Sequence, residues 1–109
     1  MEACLHDRLV ARASHLPHAV ASALVAAVAR KCPEALDVTG SGYHDTTRVA
    51  GGPAAMWSEI FMQNKSEVLD SLAEFGSALA EFEKILQSGS VGELTNYLAI
   101  AQDCTETRP

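Results

Sequence analysis

Two imidazoles three residues apart, in His15-Leu16-Pro17-His18, are the first side chains of this sequence with chemical potential. On a helix that spacing puts both rings on one face, within reach of a common ligand or proton. Metal binding would need a third ligand such as His44, and neither an HExxH string nor a Cys/His pattern supplies one. The plainer reading makes the pair capping or packing residues. A second group follows in Gly40-Ser41-Gly42-Tyr43-His44-Asp45-Thr46-Thr47-Arg48, where glycines free the backbone beside hydroxyls and a single guanidinium. An arginine fork grips a carboxylate or phosphate through two parallel hydrogen bonds. Its rival is an Asp45–Arg48 ion pair one turn apart, worth only about a few tenths of a kcal/mol, and spacing does not choose between them. Just after this loop comes Met56-Trp57 with Ile60-Phe61, whose lone tryptophan reads first as core or interface. Nothing forms a nucleophile elbow, a P-loop or a dinucleotide turn, since Gly40-Ser41-Gly42 lacks the third glycine and follows no strand.

The elements that must position these groups are helices. The chain has 109 residues, 48% apolar and 6% aromatic, which suits one compact domain and excludes a complete two-domain enzyme. A net charge of −6 gives no cationic field for nucleic acid. The longest nearly apolar run, Ala19 to Ala29, is too short for a membrane span. The N-terminal residues lack the basic start and apolar stretch of a signal peptide, so the cytoplasm is the expected compartment. Cys4, Cys32 and Cys104 form no paired spacing and are expected to be reduced thiols.

Alanine is abundant and no stretch alternates with period two, so an all-α fold is expected. Leu5, Leu9, Val10, Ala13, Leu16, Val20, Leu24 and Val28 recur at helical steps and predict one buried face. Pro17 interrupts this run, giving either one kinked helix or two, the second capped by Ser14. Cys32 to Pro53 reads as an irregular centre, with a short helix over Asp45–Ala50, and Ala54 to Gln63 as a further helix. Val68, Leu72, Phe75, Leu79, Phe82 and Leu86 make a heptad seam that needs a partner helix. Gly89 ends that helix, and Ser90 with Glu93 starts a last one through Ala101, leaving 105–109 as a flexible tail.

His6-Asp7-Arg8, Ser14-His15-Leu16-Pro17-His18-Ala19, Gly40-x-Gly42-Tyr43-x-Asp45-x-Thr47-Arg48-Val49-Ala50 and Met56-Trp57-x-Glu59-Ile60-Phe61-x-x-Asn64-Lys65, in this order, resemble the C-terminal domain of prephenate dehydrogenase. The likeness spans nearly all of residues 1–109 and extends to arogenate and cyclohexadienyl dehydrogenases. It implies an all-helical bundle of five or so helices, of the 6-phosphogluconate dehydrogenase C-terminal type, forming an intertwined homodimer. The implied activity is NAD- or NADP-dependent oxidative decarboxylation of a prephenate-like acid in tyrosine biosynthesis, with tyrosine competing for the same surface. Carried over by position, His18 contacts substrate and Arg48 anchors its carboxylate, while His15, Asp45 and Trp57 shape the cleft. The family's N-terminal Rossmann domain has no counterpart here, so the chain alone is expected to bind no cofactor and to be inactive. Pro53 lies four residues before Trp57 where the family places one three before, and Tyr43 stands where phenylalanine is common. The alternative from another class is a free-standing helical interaction module without catalysis.

Overall fold

The computed structural model describes residues 2–107, and every regular element among them is helical. The chain divides into two compact units, one running to Leu72 and the other from Ala73 onward.

The first unit opens with α1 (Ala3–Val10), a π turn (Ala11–His15) and α2 (Leu16–Lys31), joined in one run of right-handed backbone. Pro17 explains the π turn. A proline inside a helix lacks the N–H owed to the residue four before it, here Ala13, and its ring presses on that carbonyl, costing about 3 kcal/mol in an unrelieved helix. Widening the preceding turn relieves the clash, and the Leu16 N–H reaches back five residues to Ala11. The run is therefore one interrupted helix, and Ser14 lies within the π turn and caps nothing. Arg30 and Lys31 close α2 with charges suited to its C-terminal dipole, and Pro33 follows Cys32 to end it.

The predicted buried face needs correction. The buried line along this run is Ala11, His15, His18 and Ala21, whereas Leu5, Leu9 and Ala13 are exposed and Leu16, Val20, Leu24 and Val28 only half-buried. The buried line keeps the three- and four-residue steps of one helix face but is made of two alanines and two histidines, so the face richest in leucine and valine is not the one most buried.

The segment expected to be irregular is mostly helical. A 3₁₀ turn (Pro33–Val38), α3 (Ser41–Thr47) and a second 3₁₀ turn (Arg48–Gly51) pack on α2. Such turns close a bond every three residues and are too short to leave a readable period. The Thr46 and Thr47 hydroxyls donate to the carbonyls of Gly42 and Tyr43, both at 2.8 Å, drawing α3 to its end. After Gly52 and Pro53 comes α4 (Ala54–Gln63), with the bounds its sequence predicts. Asn64 breaks α4 and its carbonyl accepts from the Val68 N–H at 3.0 Å, leading directly into α5 (Lys65–Ser88). Arg12 on the π turn meets Glu67 at 3.1 Å, a half-exposed pair worth at most about 1 kcal/mol.

The second unit holds the rest of α5 and α6 (Val91–Glu106). Gly89 between them takes φ +72°, the left-handed conformation that glycine adopts without strain. Ser90 Oγ accepts from the Glu93 N–H at 3.2 Å, the expected half of a capping box. The Glu93 carboxylate accepts instead from Ser88 Oγ, also at 3.2 Å. The last helix runs to Glu106 rather than Ala101, absorbing Thr105 and Glu106 from the expected tail, and Arg108 and Pro109 lie outside the described residues. Phe82 and Tyr97 pack at 5.7 Å, and the Tyr97 hydroxyl donates to the Ala78 carbonyl.

Among the described residues the buried apolar ones are few: Ala11, Ala21 and Val68. Of the predicted seam, Val68 is buried and Phe82 half-buried, while Leu72, Phe75, Leu79 and Leu86 stand exposed, Leu79 at 47%.

Candidate functional site

Trp57 and Phe61, four residues apart on α4, present neighbouring rings to the histidines of the long run. His18 stacks face to face on Trp57, with centroids 3.9 Å apart and planes inclined by 17°. His15 meets the same tryptophan at 6.2 Å and Phe61 at 6.3 Å, both nearly perpendicular. Phe61 also closes on His18 at 5.7 Å. Four rings from two helices thus make one nest, an arrangement in which each aromatic contact adds about 0.5–1.5 kcal/mol beyond area burial.

Gly52 is required by proximity. Its backbone is ordinary, at φ −66°. A Cβ there would lie 2.9 Å from Trp57 Nε1, 3.1 Å from Trp57 Cδ1 and 3.4 Å from His18 Cε1, so only hydrogen fits beside the stack.

Two hollows border the nest. One, of about 200 Å³, is lined by Ala13, Ser14, Pro17, His18, Val49 and Trp57. The other, of about 290 Å³, includes His6, Asp7, His15, Gln63 and Asn64 in its wall. His18 Nδ1 is sealed from solvent without a hydrogen-bond partner among the described residues, a state that costs about 1–3 kcal/mol. His15 Nδ1 is met by Asn64 Nδ2 at 3.3 Å. Burial holds the His15 pKa below its ordinary 6.5, and the nearby negative charge of Asp7 partly offsets this.

The remaining sequence candidates are placed differently. Arg48 is exposed and makes no ion pair among the described residues, so the Asp45–Arg48 alternative is not formed. It does not line the His18 cavity itself, but its neighbour Val49 does. Asp45 is exposed on α3 and joins none of these ring contacts. His44 pairs with the Thr39 hydroxyl at 3.2 Å, and among the described residues no three His, Cys, Asp or Glu side chains converge as metal ligands. Sequence reasoning gave no role to Phe61, Gly52 or Asn64. The four-residue step from Trp57 was the available signal for Phe61; Gly52 and Asn64 act through tertiary proximity, which leaves no period to read.

Comparison with known proteins identifies the family and the fold. A family model described as the dimerization domain of prephenate dehydrogenase matches residues 2–100. The prephenate dehydrogenase of Bacillus subtilis is 28% identical over 107 residues, covering 95% of this chain and 29% of that protein. The structure of A. aeolicus prephenate dehydrogenase in complex with hydroxyphenyl propionate and NAD+ superposes with a TM-score of 0.90 at 33% identity, covering 97% of this chain and 38% of that one. Synechocystis arogenate dehydrogenase gives a TM-score of 0.87 at 28% identity over 93% of this chain and 38% of its own. The chain thus spans 29% of the length of the B. subtilis relative.

Two outcomes follow from the nest. Gly52→Ala forces Trp57 off His18 and should lower stability by about 1–3 kcal/mol. Because Trp57 is the only tryptophan, its emission reports the displacement directly, and an unchanged spectrum and urea midpoint would contradict the packing. His15 binds a proton less readily folded than unfolded, so its contribution to stability is present above 6.5 and is lost as pH falls below 6.5 through the folded value. The urea midpoint should therefore drop on acidification from about pH 7.5, and drop less in His15→Gln; equal acid sensitivity in both would remove His15 as the cause.

Proposed function

The chain belongs to the prephenate dehydrogenase dimerization-domain family, and on that premise we propose that it is the dimer-forming, substrate-binding portion of a dehydrogenase acting on prephenate or arogenate. The overall reaction is oxidative decarboxylation to a 4-hydroxyphenyl product, 4-hydroxyphenylpyruvate in the case of prephenate, with NAD or NADP as oxidant, in tyrosine biosynthesis. The observation that carries the substrate assignment is the His18–Trp57 stack in the wall of a cavity completed by Val49, the residue after Arg48. Side chains some thirty positions apart are drawn to one hollow.

Within that site His18 contacts the cyclohexadienyl acid and Arg48 holds a carboxylate by its fork, which no carboxylate of the described residues occupies. His15 and Trp57 hold the His18 ring in place, and Asp45 supports the α3 end of the same loop. The ligand of the A. aeolicus relative, a phenolic acid, supports this class of compound. Tyrosine shares the phenol and a carboxylate and would compete there.

The residues present do not form a dinucleotide cradle. Gly40-Ser41-Gly42 leads into the short α3, with no strand before it among the described residues. We therefore assign the cofactor to a Rossmann domain outside these residues, and to these residues the tasks of binding and orienting the acid. We place the enzyme in the cytoplasm; no helix among the described residues is long and apolar enough to cross a membrane.

The exposed stripe Leu72, Phe75, Leu79 and Leu86 is assigned to a second copy of the chain. Burying each such side chain contributes about 1.5–3 kcal/mol, which a chain with so few buried apolar residues lacks on its own. Sedimentation should find the chain dimeric and Leu79→Asp monomeric or unfolded; a compact dimeric Leu79→Asp would refute the seam. In an enzyme that includes the cofactor domain, Arg48→Ala should raise KM for prephenate at least about tenfold, because the substrate carboxylate loses a charged partner. An unchanged KM would take Arg48 out of the site.

A further inference from the structure

The side-chain amide of Asn64 meets two groups outside its own helix. Its Nδ2 lies 2.9 Å from the Asp7 carbonyl oxygen and 3.3 Å from His15 Nδ1. A backbone carbonyl only accepts, so the atom facing it must be the amide nitrogen. That nitrogen carries two protons. With one given to Asp7, the other is available to His15 Nδ1, which must then present a lone pair. A neutral imidazole whose Nδ1 accepts carries its own proton on Nε2. His15 Nε2 has no hydrogen-bond partner among the described residues and is not sealed from solvent, unlike His18 Nδ1.

We propose that Asn64 is a positioning residue that fixes His15 as the Nε2–H tautomer, turning its accessible nitrogen into a donor for an acceptor oxygen. His15 lines the hollow shared with His6, Asp7 and Gln63. The same pair of hydrogen bonds ties α1, the π turn and the end of α4 together. It also sets the angle at which His15 meets Trp57, the ring on which His18 stacks. A hydrophobic side chain at position 64 would fill space but would leave the tautomer unspecified. That the acceptor is a substrate oxygen rests on the function proposed above; the tautomer itself does not.

Long-range proton–nitrogen NMR on the histidine-labelled full chain, above the ordinary histidine titration range, reads the assignment directly. His15 should show an unprotonated Nδ1 and a protonated Nε2. In Asn64→Asp the isosteric carboxylate cannot donate, so the proton should move to Nδ1 or the ring should hold both protons to a higher pH than in the unsubstituted chain. Asn64→Ala, which keeps no partner, should give mixed tautomers and serves if the aspartate variant does not fold. A protonated Nδ1 in the unsubstituted chain, or a His15 signature that neither variant alters, would overturn the proposal. An unchanged KM in Arg48→Ala with an Nε2–H His15 would sink the substrate reading alone.

Discussion

Pro17 has no amide proton, and the geometry of the first unit follows from where that defect falls. Placed in the middle of a long helical run, it cannot be accommodated by regular α geometry, and the turn before it opens into a π turn. His15 and His18 share the buried line with Ala11 and Ala21. Alanines there let neighbouring elements come close, and the imidazoles meet the rings of α4. The proline lies beside the ring nest and itself lines the His18 cavity.

Much of the helical order was legible, for reasons that differ between elements. α5 shows in the sequence because its apolar positions keep one period over many residues and Gly89 ends it, and α4 shows because it follows Pro53. The long first run also showed, but its buried face did not, because that face is made of alanines and histidines while the apolar period runs through leucines and valines. At the site, the type and spacing of His15, His18 and Trp57 marked them out. Their partner Asn64 gave no such signal: it stands 57 residues from Asp7 and 49 from His15, and only the fold brings them together. Family likeness named the motif strings, and physical contact decided which of their members touch.

The polar chemistry here is held by apolar surroundings more than by ion pairs. Arg12–Glu67 is a cross-element ion pair partly open to water and so of small value. The ring nest instead removes two imidazoles from solvent and fixes them by stacking, edge contacts and one amide. At His15 this burial favours the neutral ring, and its lowered pKa is the same effect seen through its protons. A neutral ring offers one donor and one acceptor rather than two donors, so the surroundings settle what it can recognise.

Arg48 shows the opposite condition, and the contrast bears on how such a site gains strength. Its guanidinium is exposed, and in water two unit charges about 4 Å apart attract by only about 1 kcal/mol, against about 4 kcal/mol near a partly desolvated surface. An open arginine is therefore a poor trap for a carboxylate until something excludes water from around it.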